Sequence, residues 1–177
     1  LYEARDVFIF ECYSGLRISD ILTLKWENIT DDEITLRMRK TEKLITIPLQ
    51  KNIREILNKR RAIIGRYAVR DISKEYVFGF LKVNERNATA QEMLNAISSS
   101  TAMINKRIKR IAKLAGINKT ISTHIGRHSF ATMLLTNKVD LPVIQELLGH
   151  HDVKVTQIYA KVVSKRKEEA INALNFM

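Results

Sequence analysis

The spacing of apolar residues changes twice along this chain of 177 residues. Up to Leu24 the apolar positions recur at helical spacing, and only Ser14–Gly15 interrupts them. Between Ile29 and Leu49 they alternate with polar residues, and after Asn52 the helical spacing returns. This order predicts a mainly helical domain with a small sheet to one side.

The predicted fold class is therefore α+β, mainly α with a small antiparallel three-stranded sheet. We expect the three short strands to form a meander in the alternating segment, with Pro48 closing the last strand at an edge. A polar stretch over 84–89 is expected to be a loop. Helices are expected over 1–13, 16–24, 52–61, 100–115, 123–136, 140–149, 155–162 and 165–174.

Basic side chains are concentrated in one part of the chain. Lys and Arg number 30 against 19 Asp and Glu, for a net charge of +11. Between Met93 and Val139 there is no acidic residue and there are eight basic ones: Lys106, Arg107, Lys109, Arg110, Lys113, Lys119, Arg127 and Lys138. A block of charges of one sign favours a polyanionic partner over a surface that is basic without a binding role. Of the polyanions, nucleic acid is favoured over an acidic membrane face.

Composition removes several other classes of protein. No apolar run approaches the roughly 18 residues that a membrane span requires. The only cysteine, Cys12, rules out a disulfide scaffold and fits a reducing compartment, so we expect a cytoplasmic location. Because the chain lacks an initiator Met and starts within a helical pattern, we expect it to be part of a longer protein.

Six polar side chains lie at positions that a packed core would not favour. They are Arg17, Lys40, His124, Arg127, His150 and Tyr159. His124 and Arg127 are three residues apart, so they lie on one face of their helix. Taken singly, each of the six is explained as an ordinary helix-end, turn or core residue.

In chain order the six residues and their neighbours read G-L-R…K…H-x-x-R…L-G-H…Y. The segments that carry this pattern are 15–22, 40–49, 124–132, 147–150 and 156–159. The pattern resembles the tyrosine recombinase (phage integrase) family, specifically its catalytic domain, across essentially the whole chain. The resemblance implies the tyrosine recombinase catalytic-domain fold. It also implies that residues 1–177 are a C-terminal catalytic domain, which a helical core-binding domain would precede.

Two positions depart from the pattern of the family. Gly126 stands where family members commonly carry leucine, and Asp20 stands where glutamate is commoner. A glycine inside a helix costs about 1 kcal/mol relative to alanine, so close packing or approach of DNA is the expected reason for Gly126. Neither position supplies a catalytic atom.

The resemblance implies that DNA is cleaved by covalent catalysis. Tyr159 would attack the scissile phosphate, expel the 5′-hydroxyl and leave a 3′-phosphotyrosine. A phenol is almost wholly protonated at pH 7, and His124 is the best candidate for its base. Arg17 and Arg127 would clamp the two non-bridging oxygens and stabilise the transition state.

The leaving 5′-oxygen requires an acid. Lys40 suits this role, because its distance along the chain from Pro48 resembles the spacing in the family, and Lys43 is the second choice. His150 would donate a further hydrogen bond to the phosphate. No metal or other cofactor is expected, because these cations already supply the positive charge that nucleases obtain from Mg²⁺.

The resemblance also implies how DNA and further protomers are bound. The helix expected to open at Ser100–Thr101 aligns with the family element that enters the major groove. The DNA-facing candidates are Lys43, Thr101, Asn105, Lys106 and Lys109. The implied partners are double-stranded DNA, further copies in a homotetramer held by the C-terminal helix 165–176, and DNA-bending accessory proteins. A bacterial mobile element and a nucleoid location are expected.

Three other functions would each account for part of the pattern. A type IB topoisomerase uses the same chemistry, but the oligomerising tail and the 156–159 segment argue for a recombinase. A DNA-binding module without catalysis leaves Tyr159 and Arg17 unexplained. A zinc hydrolase built on His124, His128 and His150 lacks an acidic residue near its histidines. We expect His128 to be a packing residue.

Overall fold

The computed structural model describes residues 1–65, 71–83, 87–149 and 171–172. Its helices are α1 (Tyr2–Ser14), α2 (Ile18–Leu22), α3 (Lys51–Gly65), α4 (Ala90–Leu114), α5 (Thr123–Thr136) and α6 (Leu141–Leu148). Its strands are β1 (Glu33–Arg37) and β2 (Leu44–Pro48), and a 3₁₀ turn spans Trp26–Asn28. The described residues therefore form the mainly helical fold with a small antiparallel sheet that the sequence predicts.

The sheet contains two strands within these residues, so the prediction of three strands is wrong. β1 and β2 pair antiparallel, with Arg37 opposite Leu44 next to the hairpin loop. The segment expected to be the first strand starts as the 3₁₀ turn and makes one bridge, from Ile29 to Ile34. The chain reverses at once there, because Thr30 N–H donates to the carbonyl of Glu33 (2.9 Å), and this leaves no room for a longer ladder.

Helix α4 begins at Ala90, ten residues before the expected start at Ser100. A capping box starts it: Thr89 Oγ1 accepts from Glu92 N–H (3.2 Å), and Glu92 Oε2 accepts from Thr89 N–H (2.8 Å). The serines that suggested a boundary lie inside the helix. Ser100 is buried, and its hydroxyl is satisfied because it donates to the carbonyl of Phe80 (3.0 Å).

The other helices follow the predicted pattern. α5 has the predicted bounds, and α6 follows Asp140 and ends at Gly149, which has the left-handed φ of 59°. The helices predicted over 155–162 and 165–174 lie outside the described residues, apart from 171–172, which are helical. No helix in the described part of the chain is both long and apolar enough to cross a bilayer.

Helix α1 lies at the centre of the fold and packs against α2, α3, α4 and α5. Its Phe10 is fully buried and meets Phe78 edge to face, with ring centroids 5.4 Å apart. α1 ends at Gly15, which has a φ of 67°, and a Cβ at this position would overlap the Phe130 ring of α5. Only glycine fits this crossing, which brings the start of α2 close to α5.

Candidate active site

Four of the six predicted catalytic residues line one open pocket of about 390 Å³. The lining residues are Glu11, Arg17, Ile18, Ser19, Lys40, Thr123, His124 and Arg127. They come from α1, the start of α2, the β1–β2 hairpin loop and α5, so the dispersed sequence pattern is a cluster in space. His150 and Tyr159 lie outside the described residues.

Arg127 ties three helices together at this pocket. The residue is 6% exposed, and its guanidinium donates from Nη1 to the carbonyl of Gly15 and from Nη2 to the carbonyl of Leu148, both at 2.5 Å. The two acceptors are at the C-terminal ends of α1 and α6, where helix carbonyls need donors. The side chain therefore places a fixed positive charge in the pocket and holds the segments on either side of it.

Arg17 enters the pocket from the N-terminus of α2. It is the residue immediately before this helix, and its Nη1 contacts Met38 Sδ (3.8 Å) at the base of the hairpin loop. Burial lowers the pKa of the Arg17 guanidinium, and the nearby Asp20 carboxylate opposes this effect. A guanidinium stays protonated under such conditions, so Arg17 is a second fixed positive charge.

Asp20 holds the hairpin loop that carries Lys40. The carboxylate is buried, and its Oδ1 accepts a hydrogen bond from Arg39 N–H (2.9 Å), immediately before the exposed Lys40. Burial raises the pKa of Asp20, while this hydrogen bond and the charges of Arg17 and Arg127 lower it. Asp20, which is shorter than the glutamate that is commoner in the family, therefore attaches the hairpin loop to α2.

The structure separates the two lysines that the sequence left as candidate acids. Lys40 lines the pocket of the arginines, whereas Lys43 lines a different pocket between β2 and α6, beside Leu44 and Leu147. The loop from Met38 to Lys43 turns between them, with a left-handed Glu42 (φ 54°). This separation supports the choice of Lys40.

His124 lies exposed in the first turn of α5, at the mouth of the pocket. The ring of the half-buried His128 meets it edge to face, with centroids 4.3 Å apart. Burial, followed by the charges of His124 and Arg127, lowers the pKa of His128 and favours its neutral form. Within the described ranges, no three His, Cys, Asp or Glu side chains group as metal ligands would.

Glu11 is a residue of this pocket that the sequence reasoning missed. It lies on α1, is 1% exposed, and its Oε2 has no hydrogen-bond partner among the residues that the structure describes. Burial raises its pKa to about 9 against the opposing charge of Arg127, so the carboxyl is uncharged at pH 7. The sequence did contain a signal for Glu11: it is an acidic residue within an apolar stretch, directly after Phe10 and four residues before Gly15.

Gly126 is explained by the same carboxyl group. A Cβ at Gly126 would lie 2.8 Å from Glu11 Oε2 and 3.2 Å from Glu11 Cβ and Cγ. The glycine therefore lets α5 approach the Glu11 side chain closely. Close packing and approach of DNA were the two reasons expected for a glycine here. The structure shows the close packing, and Glu11 is the residue against which Gly126 packs.

Replacing Glu11 with glutamine is expected to make the free energy of unfolding less dependent on pH. Between its usual pKa of 4.5 and the native pKa of about 9, native Glu11 keeps a proton that the unfolded chain has released. The native state then binds more protons, so rising pH lowers stability by up to about 1.4 kcal/mol per unit through this group. Urea unfolding of both proteins from pH 5 to pH 9 measures the difference.

Glu55→Gln is the matched control for that comparison, because Glu55 is an exposed carboxylate on α3. Its stability should follow the wild-type pH dependence. If the Glu11→Gln curve also ran parallel to wild type, Glu11 would titrate alike in the folded and unfolded chains, and the prediction would be wrong.

The basic side chains of α4 form one exposed face. Lys106, Lys109, Arg110 and Lys113 are exposed at positions three and four apart, while Ile108 is buried among them on the other side of the helix. The described part of α4 carries one acidic residue, at its first turn. Two of the predicted DNA-facing residues, Lys106 and Lys109, belong to this positive face.

The other two candidates on α4 have partners inside the protein. Thr101 lies in the helix interior rather than at its start, and its hydroxyl donates to the carbonyl of Ile97 (2.8 Å). Asn105 Oδ1 accepts from Thr123 N–H (2.8 Å) and so satisfies a free donor at the start of α5. Asn105 thus anchors the helix that carries His124 and Arg127.

Comparison with known proteins identifies a matching family. The phage integrase family matches residues 3–166. The chain is 33% identical over 167 residues to tyrosine recombinase XerA of Pyrococcus furiosus, covering 93% of this chain and 52% of that one. It is 35% identical over 162 residues to XerD of Listeria monocytogenes serotype 4b, covering 88% and 49%.

A solved structure also shares the fold. The XerH site-specific recombinase, in a post-cleavage complex with a palindromic difH substrate, is 24% identical at a TM-score of 0.67. The similarity covers 97% of this chain and 46% of that one. The chain thus spans about half the length of the curated relatives that it matches.

Proposed function

The chain belongs to the phage integrase family, and we propose that it is the catalytic domain of a site-specific tyrosine recombinase. The proposed reaction cuts and rejoins DNA strands through a 3′-phosphotyrosine intermediate. The observation that carries the proposal is the single pocket shared by Arg17, Lys40, His124 and Arg127. The named relatives are tyrosine recombinases, which supports the same reaction class.

The charge of the pocket suits a phosphodiester. Arg17 and Arg127 are fixed cations that both line the pocket, and guanidinium groups match the geometry of phosphate oxygens. As the phosphorus becomes five-coordinate, negative charge grows on its non-bridging oxygens. Donors that are already in place stabilise this charge without reorganisation, because protein contacts hold them, as the carbonyls of Gly15 and Leu148 hold Arg127.

We assign the attack on phosphorus to Tyr159. Its Oη forms a bond to phosphorus while the bond from phosphorus to the 5′-oxygen breaks, and the phenolic proton passes to His124. The product is a 3′-phosphotyrosine and a free 5′-hydroxyl. Because the new ester replaces one phosphodiester by another, a second 5′-hydroxyl can reverse the step without ATP.

We assign the proton for the leaving 5′-oxygen to Lys40. It lies on an exposed loop that reaches the pocket, and the hydrogen bond that Arg39 N–H donates to Asp20 Oδ1 holds this loop near Arg17. An alkoxide is a poor leaving group, so proton transfer to it must accompany bond cleavage. His150 is assigned a further hydrogen bond to the phosphate, and its position follows from the sequence pattern alone.

Lys40→Ala is expected to slow cleavage of normal DNA by about 10²–10⁴-fold, the usual contribution of a general acid. A substrate with sulfur in place of the bridging 5′-oxygen should restore the rate, because a thiolate leaves without a proton. Gel assays of both substrates measure the rescue. Lys43→Ala is the matched variant, and rescue of that protein instead would move the acid to Lys43.

The test of the proposed function is trapping on a nicked duplex. Cleavage next to the nick releases a short fragment, so the covalent complex accumulates and shifts on a denaturing gel. We expect the shift in the presence of a chelator. Free DNA ends with no attached protein, or cleavage only after a divalent metal is added, would contradict the proposal and favour a hydrolase.

The wider setting of the reaction is also proposed. Double-stranded DNA is the partner that fits the exposed basic face of α4, including Lys106 and Lys109. Lys43, on the hairpin, stays a predicted DNA contact. We propose that the whole protein has a preceding core-binding domain and acts in the cytoplasm, at the nucleoid, as a homotetramer held by 165–176. DNA-bending accessory proteins and a mobile-element origin remain predictions.

A further inference from the structure

An uncharged acid in a pocket of cations requires an explanation. Glu11 lines the pocket with Arg17, Lys40, His124 and Arg127, yet within the described part of the chain its Oε2 lacks a hydrogen-bond partner. An ionised carboxylate here would compete with a phosphate for the guanidinium of Arg127. The proposed chemistry therefore needs this group to keep its proton.

The groups around Glu11 determine whether it does so. They are Cys12 on α1, Arg17 immediately before α2, Asp20 on α2, Lys40 on the hairpin loop, and His124 and Arg127 on α5. The described residues of α3 and α4 contribute no side chain to the lining. Burial outweighs the attraction of Arg127, and the pKa of Cys12 is raised to about 11, so the carboxyl ionises before the thiol.

This inference rests on the proposed function. We propose that Glu11 is a positioning residue whose uncharged carboxyl keeps a competing negative charge away from the site where the charge of Arg127 attracts the phosphate. Its ionisation in alkaline solution adds a negative charge beside Arg127 and weakens phosphate binding. Gly126 packs directly against this group, because a Cβ at position 126 would occupy the space of the buried carboxyl. Phosphate binding and ionisation of Glu11 then oppose each other.

Carbon-13 NMR of the glutamate carboxyls tests the proposal without requiring cleavage. The Glu11 signal is identified by its absence from Glu11→Gln, and the probe is inorganic phosphate against sodium chloride at equal ionic strength. We expect a titration midpoint near pH 9 that phosphate raises, by about one pH unit if ionisation weakens binding tenfold. A midpoint in the usual range of glutamate, or one that phosphate does not move, would overturn the proposal.

Covalent adduct formation provides the second readout. Each protein is compared with itself, as the rate at pH 10 divided by the rate at pH 7.5. We expect this ratio to be several-fold lower for wild type than for Glu11→Gln, because only the wild-type protein carries a carboxyl group at position 11 that ionises over this range. Equal ratios would overturn the role of Glu11. If wild type formed no adduct at all, the proposed function would fail, whereas the NMR titration would still decide the proposal for Glu11.

A pair of variants tests the packing of Glu11 against Gly126. Alanine is normally favoured over glycine in a helix, so a lower melting temperature for Gly126→Ala would report the clash with Glu11. Adding Glu11→Ala to that protein removes the carboxyl and should raise the melting temperature again. Strictly additive shifts would show that the two residues do not interact, and would overturn the pairing.

Discussion

Replacing Arg127 with alanine is expected to reduce the rate of adduct formation at saturating DNA by about 10³-fold. Removing one donor from a charge-stabilising site costs on this scale, and the guanidinium also holds the ends of α1 and α6. The carbonyls of Gly15 and Leu148 would lose their donors. Each carbonyl left without a donor costs about 1–3 kcal/mol, so the free energy of unfolding should fall by about 2–6 kcal/mol. Quenched time courses and urea unfolding measure the two effects.

Arg127→Lys separates chemistry from stability. It keeps the positive charge but lacks the planar fork, so it should recover part of the stability while cleavage stays about 10²-fold slow. Arg110→Ala is the control, because it removes the same charge from the exposed face of α4. It should weaken DNA binding and leave the rate at saturation within about twofold of wild type. If a folded Arg127→Ala protein formed adduct at the wild-type rate, Arg127 would have no role in the reaction.

Replacing Tyr159 with phenylalanine is expected to abolish the covalent adduct. The substitution removes one oxygen atom, and no other group in the proposed mechanism can form the ester to phosphorus. DNA affinity, measured by fluorescence anisotropy, should stay within about twofold of wild type, because binding rests on the arginines and on the basic face of α4. The pair of measurements thus distinguishes loss of the nucleophile from loss of binding.

Tyr2→Phe is the matched control, since Tyr2 is an exposed tyrosine at the start of α1, outside the pocket. This variant should form adduct at the wild-type rate. Persistent adduct in Tyr159→Phe would assign the nucleophile to another side chain, and loss of DNA affinity in that variant would make its inactivity a binding defect.

Much of the candidate site could be predicted, because its residues follow local signals. Arg17 follows a helix-ending glycine, Lys40 lies on a hairpin loop between two alternating segments, and His124 and Arg127 share a helix face. The structure places these four at one pocket, and the resemblance to the phage integrase family is confirmed. Roles for individual residues remain proposals.

The parts that were missed depend on contacts that a pattern does not contain. The alternation near Ile29 is compatible with a strand, but the turn from Thr30 to Glu33 allows one bridge. The serines before Ile104 resembled a helix start, although the capping box lies at Thr89. Glu11 could not be assigned to the pocket, because its burial depends on the distant packing of α5.

The structural role of Asn105 was missed for a similar reason. The resemblance to the family predicts that Asn105 faces DNA, and this stays a prediction; the structure adds that its Oδ1 accepts from the backbone N–H of Thr123. Helix ends leave donors unsatisfied, but the sequence does not reveal which distant side chain satisfies them. Such partners become visible only when the helices are packed.

Mass spectrometry of the trapped complex tests the shared pocket and its nucleophile most directly. The adduct from the nicked duplex is digested with protease and nuclease, and the peptide that carries the nucleotide is sequenced. We predict one modified residue, Tyr159, joined through its oxygen to a 3′-phosphate, in wild type and in Glu55→Gln. Attachment to any other residue, or a cleaved strand that carries no peptide, would contradict the proposed mechanism.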